Sequence, residues 1–166
     1  ASRSERSTAC DVEVQNTAVC HVVGLLSGYL TSHCVHHIGP GDINLLQHTM
    51  NSSELRALLP SSVVVISADR IRDFLRDKRH STAVLNCCPF WLPGVHWLVL
   101  HRDRRCKQLE FFDSLAQPDP GVYGPEFKAL RRRIHWRNKR RVQAYTATTC
   151  GHHAIYFIFN RLYAYK

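Results

Sequence analysis

The chain has 166 residues, 45% of them hydrophobic, and its 22 Lys and Arg against 13 Asp and Glu give a formal net charge of +9. This length suits one domain with a sizeable core, and no apolar run reaches the roughly 18 residues that a membrane span needs. The charge favours an anionic partner. Seven cysteines at irregular spacing fit no disulfide framework and predict a protein of a reducing, intracellular compartment. No signal peptide is visible, and Ala1 as first residue indicates processing or a missing upstream segment.

We expect one domain over residues 1–166, with 1–9 disordered, 10–60 a helical N-terminal part and 61–163 the core. In the N-terminal part, the sequence pattern predicts a strand and a helix within 10–34, a turn at 37–42, and short helices over 42–50 and 52–60. Asn51 or Ser52 caps the last of these helices and Pro60 stops it.

The sequence of the core predicts the element order β, α, β, β, β, α, β, α. Five β-branched or apolar segments bounded by turn residues predict strands at 61–67, 82–88, 97–102, 107–112 and 141–145. Helices are predicted after the cap Ser67 over 68–79, from Pro125 to residue 136, and from Cys150 behind the cap Thr148 or Thr149. This order predicts an α+β fold with a mostly antiparallel central sheet, a buried last helix that is apolar nearly all round, and flanking helices.

The two strands around Asp103-Arg104-Arg105-Cys106 predict a β-hairpin. A four-residue turn there pairs positions whose numbers sum to 209, which sets His96 opposite Asp113 and Trp97 opposite Phe112. His96 and Asp113 share strand parity with the apolar residues of the hairpin, so both belong to a face that meets the core. Periodicity therefore predicts an imidazole beside a carboxylate at one end of the hairpin.

Cys150 stands where the last helix is predicted to begin. A helix N-terminus and a nearby imidazolium both favour the thiolate, which is the nucleophilic form of cysteine. His96 is the candidate base and Asp113 its orienting partner. Gln143 and the Cys150 backbone N–H are candidate donors to an oxyanion. Each residue also has an ordinary interpretation, since a cysteine in an apolar helix is usually packing.

The arrangement resembles the adenovirus endopeptidase (adenain) family of cysteine proteases. The resemblance covers about residues 62–163 and rests on Gly94-Val95-His96-Trp97, Phe112-Asp113, Gln143 and Cys150-Gly151. This family belongs to a superfamily that includes the SUMO-specific and related deconjugating proteases. Order and spacing look more like the adenovirus branch, and the compact size suits a viral enzyme.

The resemblance implies a cysteine endopeptidase of the adenain fold that cleaves viral precursor proteins after a small residue such as Gly. His96, Asp113, Gln143 and Cys150 would be catalytic, and Trp97 and Gly151 would bind substrate, Trp97 also packing on Phe112. The host nucleus and the virion are the implied locations. We expect no required cofactor, DNA as an activator, no membrane and a monomer.

The chain departs from the adenovirus pattern in three ways. Asp113 stands where those enzymes commonly have Glu, and Thr148, Thr149 and His152 replace small residues near the cysteine. No cysteine lies between residues 113 and 143, so activation by a disulfide-bonded peptide cannot be carried over.

Residues 131–141 form a basic run with two alternative interpretations. It is either a solvated surface or a sequence-independent contact to phosphates, and it could also act as a nuclear localisation signal. The resemblance favours DNA binding, because adenovirus-type proteases use DNA as a cofactor. The candidate DNA-binding residues are Arg131, Arg132, Arg133, Arg137, Lys139, Arg140 and Arg141.

Several Cys and His pairs, such as Cys87-Cys88 and His152-His153, lack the spacing of paired zinc ligands, so no metal site is predicted. Two other functions stay open. One is a protease that removes SUMO or another ubiquitin-like protein with the same catalytic residues. The other is a non-enzymatic basic DNA-binding protein.

Overall fold

The computed structural model describes residues 49–163. The predictions for residues 1–48 lie outside this range. Of the helix predicted over 42–50, only Thr49 and Met50 are described, and neither is helical. No helix in the described range is long and apolar enough to cross a membrane.

The described residues form an α+β arrangement of five strands and four α-helices. In chain order these are α1 (Ser52–Leu58), β1 (Val63–Ile66), α2 (Ile71–Arg76), β2 (Thr82–Asn86), β3 (Trp97–Arg102), β4 (Leu109–Asp113), α3 (Pro125–Lys128), β5 (Ile134–Arg137) and α4 (Cys150–Tyr163). Short 3-10 turns precede α2 and α3.

The first and last helices begin where the sequence predicts. Asn51 caps α1, and its side chain accepts from the backbone N–H of Ser53 and Glu54 while Glu54 reaches back to the Asn51 N–H. This reciprocal capping box satisfies donors that a helix start leaves unpaired. The last helix begins at Cys150.

The sheet is mixed, with the strands in the order β1-β2-β3-β4-β5. The β2–β3 and β3–β4 pairs are antiparallel, whereas β1–β2 and β4–β5 are parallel. The prediction of a mostly antiparallel sheet is therefore wrong for its two outer pairs. The α2 segment crosses over from β1 to a parallel β2, and α3 does the same from β4 to β5.

Both faces of the sheet are covered, so its central strands are buried on both sides. One face, with Val99 and Phe112, packs against α4 and α1. The other, with Leu100 and Phe111, packs against residues of α2 and the α3 region. Successive side chains of the hairpin therefore belong alternately to two hydrophobic cores, and neither face of the hairpin is a solvent face.

The hairpin register differs from the predicted one by two positions. Leu98 pairs with Asp113 and Arg102 with Leu109, so paired positions sum to 211. The connection is longer than predicted because the Asp103 carboxylate accepts from the Arg105 N–H while the Asp103 N–H donates to the Gln108 carbonyl. A shift of two keeps every side chain on its predicted face.

The region between Pro125 and Cys150 is where local prediction fails. Pro125 does start a helix, but α3 ends at Lys128 and residues 134–137 form β5 beside β4. The predicted helix over 125–136 is thus wrong beyond its first turn. The strand predicted at 141–145 is also wrong, since these residues form a loop.

Candidate active site

Topology brings the ends of several elements to one end of the sheet. The first residue of β3, Trp97, and the last residue of β4, Asp113, lie at the same end because these strands are antiparallel neighbours. His96 directly precedes β3, and α4, which packs on β3 and β4, begins at Cys150. The sequence-predicted residues therefore meet although they come from three separate parts of the chain.

His96 and Asp113 form a buried hydrogen-bonded pair. The distance from His96 Nε2 to Asp113 Oδ1 is 2.8 Å, and the two side chains are 7% and 2% exposed. Because Asp113 pairs with Leu98, His96 is its diagonal neighbour on the same face, within reach of a long side chain. The predicted contact is present, through a diagonal and not a direct pairing.

The Asp113 carboxylate is held by four donors. Oδ1 also accepts from the Leu115 N–H at 2.9 Å, while Oδ2 accepts from the Tyr123 hydroxyl at 2.7 Å and the Gln117 N–H at 2.9 Å. Burial alone would raise the pKa of Asp113, but the hydrogen bonds from His96, Tyr123 and the two backbone groups hold it below the usual value. The carboxylate is therefore charged and fixed in orientation.

Tyr123 is a member of the site that sequence reasoning missed. Its ring stacks on the His96 ring, with centroids 5.6 Å apart and planes 23° apart. Burial and the bond to Asp113 raise the pKa of its hydroxyl, which keeps the O–H as a donor. It lies in the Pro/Gly-rich loop before α3, where no periodicity marks a single residue.

Cys150 lies beside His96, and the interaction of the two side chains shifts the pKa of both. Asp113 occupies Nε2, so Nδ1 is the nitrogen left for the sulfur. Burial alone raises the pKa of the Cys150 thiol, but the hydrogen bond with His96 and the backbone N–H groups of Trp97 and Gly151 outweigh burial and lower it. Likewise burial lowers the pKa of His96, but the bonds to Asp113 and Cys150 raise it to about 9. These shifts favour a thiolate–imidazolium pair.

Gln143 is held beside the site through Ser114, the residue after Asp113. The backbone N–H groups of Val142 and Gln143 donate to the Ser114 carbonyl at 2.9 and 3.1 Å, and Ser114 Oγ donates to Gln143 Oε1 at 2.7 Å. Gln143 Nε2 donates to the Ala147 carbonyl at 2.5 Å. A side-chain amide has two N–H donors, so this bond uses one of them.

The loop after β5 is also clamped to Asp113. Asn138 Oδ1 accepts from the Asp113 N–H at 2.9 Å, and Asn138 Nδ2 donates to the Asp113 carbonyl at 2.6 Å. Sequence reasoning missed both Ser114 and Asn138, because their value lies entirely in contacts with residues distant in the chain.

Met50 contacts both Trp97 and Gly151. Trp97 is buried in the core that contains Phe112, and its indole N–H donates to the Met50 carbonyl at 2.7 Å. A Cβ added to Gly151 would lie 3.0 Å from Met50 Cβ and Sδ. The packing of Trp97 in the same core as Phe112 agrees with the sequence, while substrate binding by Trp97 and Gly151 stays a prediction.

Cys150 and His96 are close together but nearly covered, at 3% and 6% exposure of the whole residue. The surroundings of Cys150 are therefore narrow. Any molecule that is to contact the sulfur must therefore insert a small group or displace a covering segment.

The seven candidate DNA-binding side chains are all exposed, and they lie on a turn, an edge strand and a loop instead of one helix. Arg131 pairs with Asp119, Arg137 donates to the Gln117 and Pro118 carbonyls, and the Arg141 guanidinium lies 4.1 Å from the Tyr145 ring centroid. Within residues 49–163, no group of three or more Cys, His, Asp or Glu could hold a metal ion.

No known family model matches the sequence, and no curated protein matches it significantly.

Proposed function

We propose that the protein is a cysteine endopeptidase in which Cys150, His96 and Asp113 form the catalytic triad. The observation that supports this most is the buried hydrogen bond between the His96 ring and the Asp113 carboxylate, with Cys150 beside the same ring, where His96 lowers the pKa of the thiol. A nucleophile, a base and an orienting carboxylate in contact are the requirements of acyl transfer through a thioester.

The reaction follows from the charge state of the pair. The Cys150 thiolate attacks the peptide carbonyl, and His96 gives its Nδ1 proton to the leaving amine as the C–N bond breaks. The neutral ring then takes a proton from the water that attacks the thioester, which releases the acid and restores the thiolate. The second Gln143 amide hydrogen and the Cys150 N–H would hold the oxyanion, each donor contributing about 3 kcal/mol.

The narrow surroundings of Cys150 support cleavage beside a small residue. Met50 packs against Gly151, and the Trp97 indole N–H donates to the Met50 carbonyl, so little free space borders the start of α4. Gly fits best. The resemblance to the adenovirus enzymes makes viral precursor proteins the proposed substrates, in the infected nucleus or the virion.

Cleavage is tested by mass spectrometry of the products from a peptide library, with and without DNA. The Cys150→Ala variant should lose both cleavage and labelling by a thiol-directed probe while keeping its fold. Cys106→Ala is the matched control, because Cys106 is a free, exposed thiol in the hairpin connection. Cleavage that survives in Cys150→Ala would refute the assignment.

The alternatives are separated by the same assays. Cleavage of a fusion after the C-terminal Gly-Gly of SUMO, without cleavage of library peptides, would favour a deconjugating protease. The exposed basic side chains at the β5 edge favour DNA as an activator or ligand. Salt-sensitive DNA binding with no thiolate below about pH 7.5 would favour a non-enzymatic DNA-binding protein.

A further inference from the structure

Ser114 contacts Gln143 through both its backbone and its side chain. Its carbonyl accepts from the Val142 and Gln143 N–H groups at 2.9 and 3.1 Å, and its hydroxyl donates to Gln143 Oε1 at 2.7 Å. Ser114 and Gln143 are both buried. Bulk water is therefore excluded from the bond between the two side chains, and the hydroxyl is the donor that satisfies the buried amide oxygen.

The partners of the Gln143 amide define which way it faces. A side-chain amide has one acceptor oxygen and one NH₂ group with two donors. The oxygen of Gln143 faces the Ser114 hydroxyl, while Nε2 donates to the Ala147 carbonyl at 2.5 Å. Exchanging the two ends of the amide would set Oε1 against the Ala147 carbonyl, which can only accept. The two contacts together therefore select one orientation of the amide.

The two contacts differ in what they fix. The Ala147 carbonyl excludes the reversed amide and uses one hydrogen of the NH₂ group, whereas the Ser114 hydroxyl holds the oxygen end in place. Without the hydroxyl, Gln143 Oε1 is a buried acceptor that has lost its donor, which is an unfavourable state. The amide then turns toward another donor. Its second hydrogen, which the proposed function assigns to the oxyanion, turns with it because both ends belong to one rigid group.

Ser114 also links the oxyanion donor to the base. It directly follows Asp113, whose carboxylate bonds the His96 ring at 2.8 Å and whose backbone is bonded on both sides by Asn138. The first side chain of this dipeptide therefore contacts the base, and the second contacts Gln143. Supporting hydrogen bonds of this kind hold reacting groups in a productive geometry.

We propose, on the basis of the proposed protease function, that Ser114 is the positioning residue of the oxyanion hole. Its hydroxyl holds Gln143 Oε1, so that the second Nε2 hydrogen is aimed at the oxyanion that forms when Cys150 attacks the peptide carbonyl. A donor fixed in this way stabilises the transition state more than the bound substrate. Loss of the hydroxyl should therefore lower kcat and leave KM nearly unchanged.

A double-mutant cycle with Gln143→Ala tests the assignment on a peptide that the library identifies as a substrate. Ser114→Ala alone should lower kcat by about ten- to hundred-fold, less than the roughly 10²- to 10³-fold loss that follows removal of an oxyanion donor. In Gln143→Ala, the added Ser114→Ala should change kcat by less than about two-fold, because the group that the hydroxyl positions is already absent. Equal losses in the two backgrounds, or a raised KM with unchanged kcat, overturn the proposal.

Thr82→Val is the matched control, because it also removes a buried hydroxyl, one that is hydrogen-bonded to His101 Nδ1 at 2.9 Å. Thr82 begins β2 and pairs with His101, at the end of the sheet away from Trp97. Its kcat should stay within about two-fold of that of the unmodified protein, since distant sites act independently. A loss in Thr82→Val as large as that in Ser114→Ala overturns the proposal.

Urea unfolding shows whether each variant folds. Should Ser114→Ala fail to fold, Ser114→Cys enters the same cycle, because its S–H group is a weak donor on a side chain of similar shape. Its loss of kcat should be smaller than that of an alanine and should again vanish in the Gln143→Ala background. A loss that persists without Gln143 overturns the proposal.

The failure of this proposal is distinguishable from the failure of the protease assignment. If the unmodified protein cleaves peptides and the losses from Ser114→Ala and Gln143→Ala multiply, Ser114 does not act through Gln143 and the protease assignment stands. If the folded, unmodified protein cleaves no peptide, the protease assignment is overturned and this proposal with it.

Discussion

Asp113→Asn is the substitution whose consequences the structure defines most fully. Asparagine has the same shape but offers one acceptor oxygen and one NH₂ group in place of two acceptors. If its oxygen stays toward His96 and the Leu115 N–H, the NH₂ group faces the Tyr123 hydroxyl and the Gln117 N–H. The hydroxyl can rotate to accept, whereas the Gln117 N–H loses its acceptor.

The substitution should change both the free energy of unfolding and the pKa of His96. Leaving a buried backbone donor unpaired lowers the free energy of unfolding by about 1–3 kcal/mol. Raising the pKa of His96 from 6.5 to about 9 corresponds to about 3 kcal/mol of favourable interaction with its surroundings, and the bond to Asp113 is the largest cause that raises it. We therefore expect the pKa of His96 to fall by at least about one unit in Asp113→Asn.

The assay is an NMR titration of the histidine ring C–H signals, with His96 assigned by comparison with His96→Gln. Urea unfolding at neutral pH measures stability, and peptide cleavage should fall by about ten-fold, because a pKa of His96 lower by one unit makes the thiolate–imidazolium pair about ten-fold less favourable. Asp73→Asn, an exposed carboxylate paired with Arg70, is the control for loss of one negative charge. An unchanged pKa of His96 in Asp113→Asn would refute the coupling inferred from the geometry.

Three further outcomes are expected. In the pH profile of kcat/KM, activity should fall as pH rises through about 9, because His96 there loses the proton that the leaving amine requires; an alkaline limb near 6.5 would contradict this. Tyr123→Phe keeps the ring on His96 but removes a donor to Asp113, so urea unfolding should show a loss of about 1 kcal/mol, and no change would mean that water replaces the hydroxyl. Phe111→Ala empties a fully buried position and should lower the free energy of unfolding by about 3–5 kcal/mol; a loss below about 1 kcal/mol would mean that the core closes around the gap.

The hairpin shows how far periodicity alone can reach. A period of two predicts which face each residue occupies, and that part is confirmed for the shared face of His96 and Asp113. The register depends on the connection, where Asp103 bonds Arg105 and Gln108 and Lys107 adopts a positive φ of 57°. These are contacts of particular side chains and backbone groups, so counting turn residues misses them.

The segment from Pro125 to residue 137 shows why local patterns mislead. Phe127, Leu130 and Ile134 fit one face of a helix, and only the first turn of that helix forms. The parallel edge of β4 presents unpaired backbone groups that residues 134–137 can satisfy, with an irregularity between Leu109 and Glu110. That partner is distant in sequence, so helix propensity and strand pairing compete without a local signal to decide between them.

By itself, the sequence determined the α+β class, the start of the last helix at Cys150, the start of α1 behind a cap at Asn51 or Ser52, and the nearness of His96 to Asp113, because caps and strand parity are local properties. Only the tertiary structure decided the parallel outer strands, the register, the burial of Cys150, and the contacts of Tyr123, Ser114 and Asn138 that hold the site. Apart from the register, which the contacts within the hairpin connection set, each of these depends on hydrogen bonds or packing between groups ten or more positions apart, and such contacts are set by the folded chain as a whole.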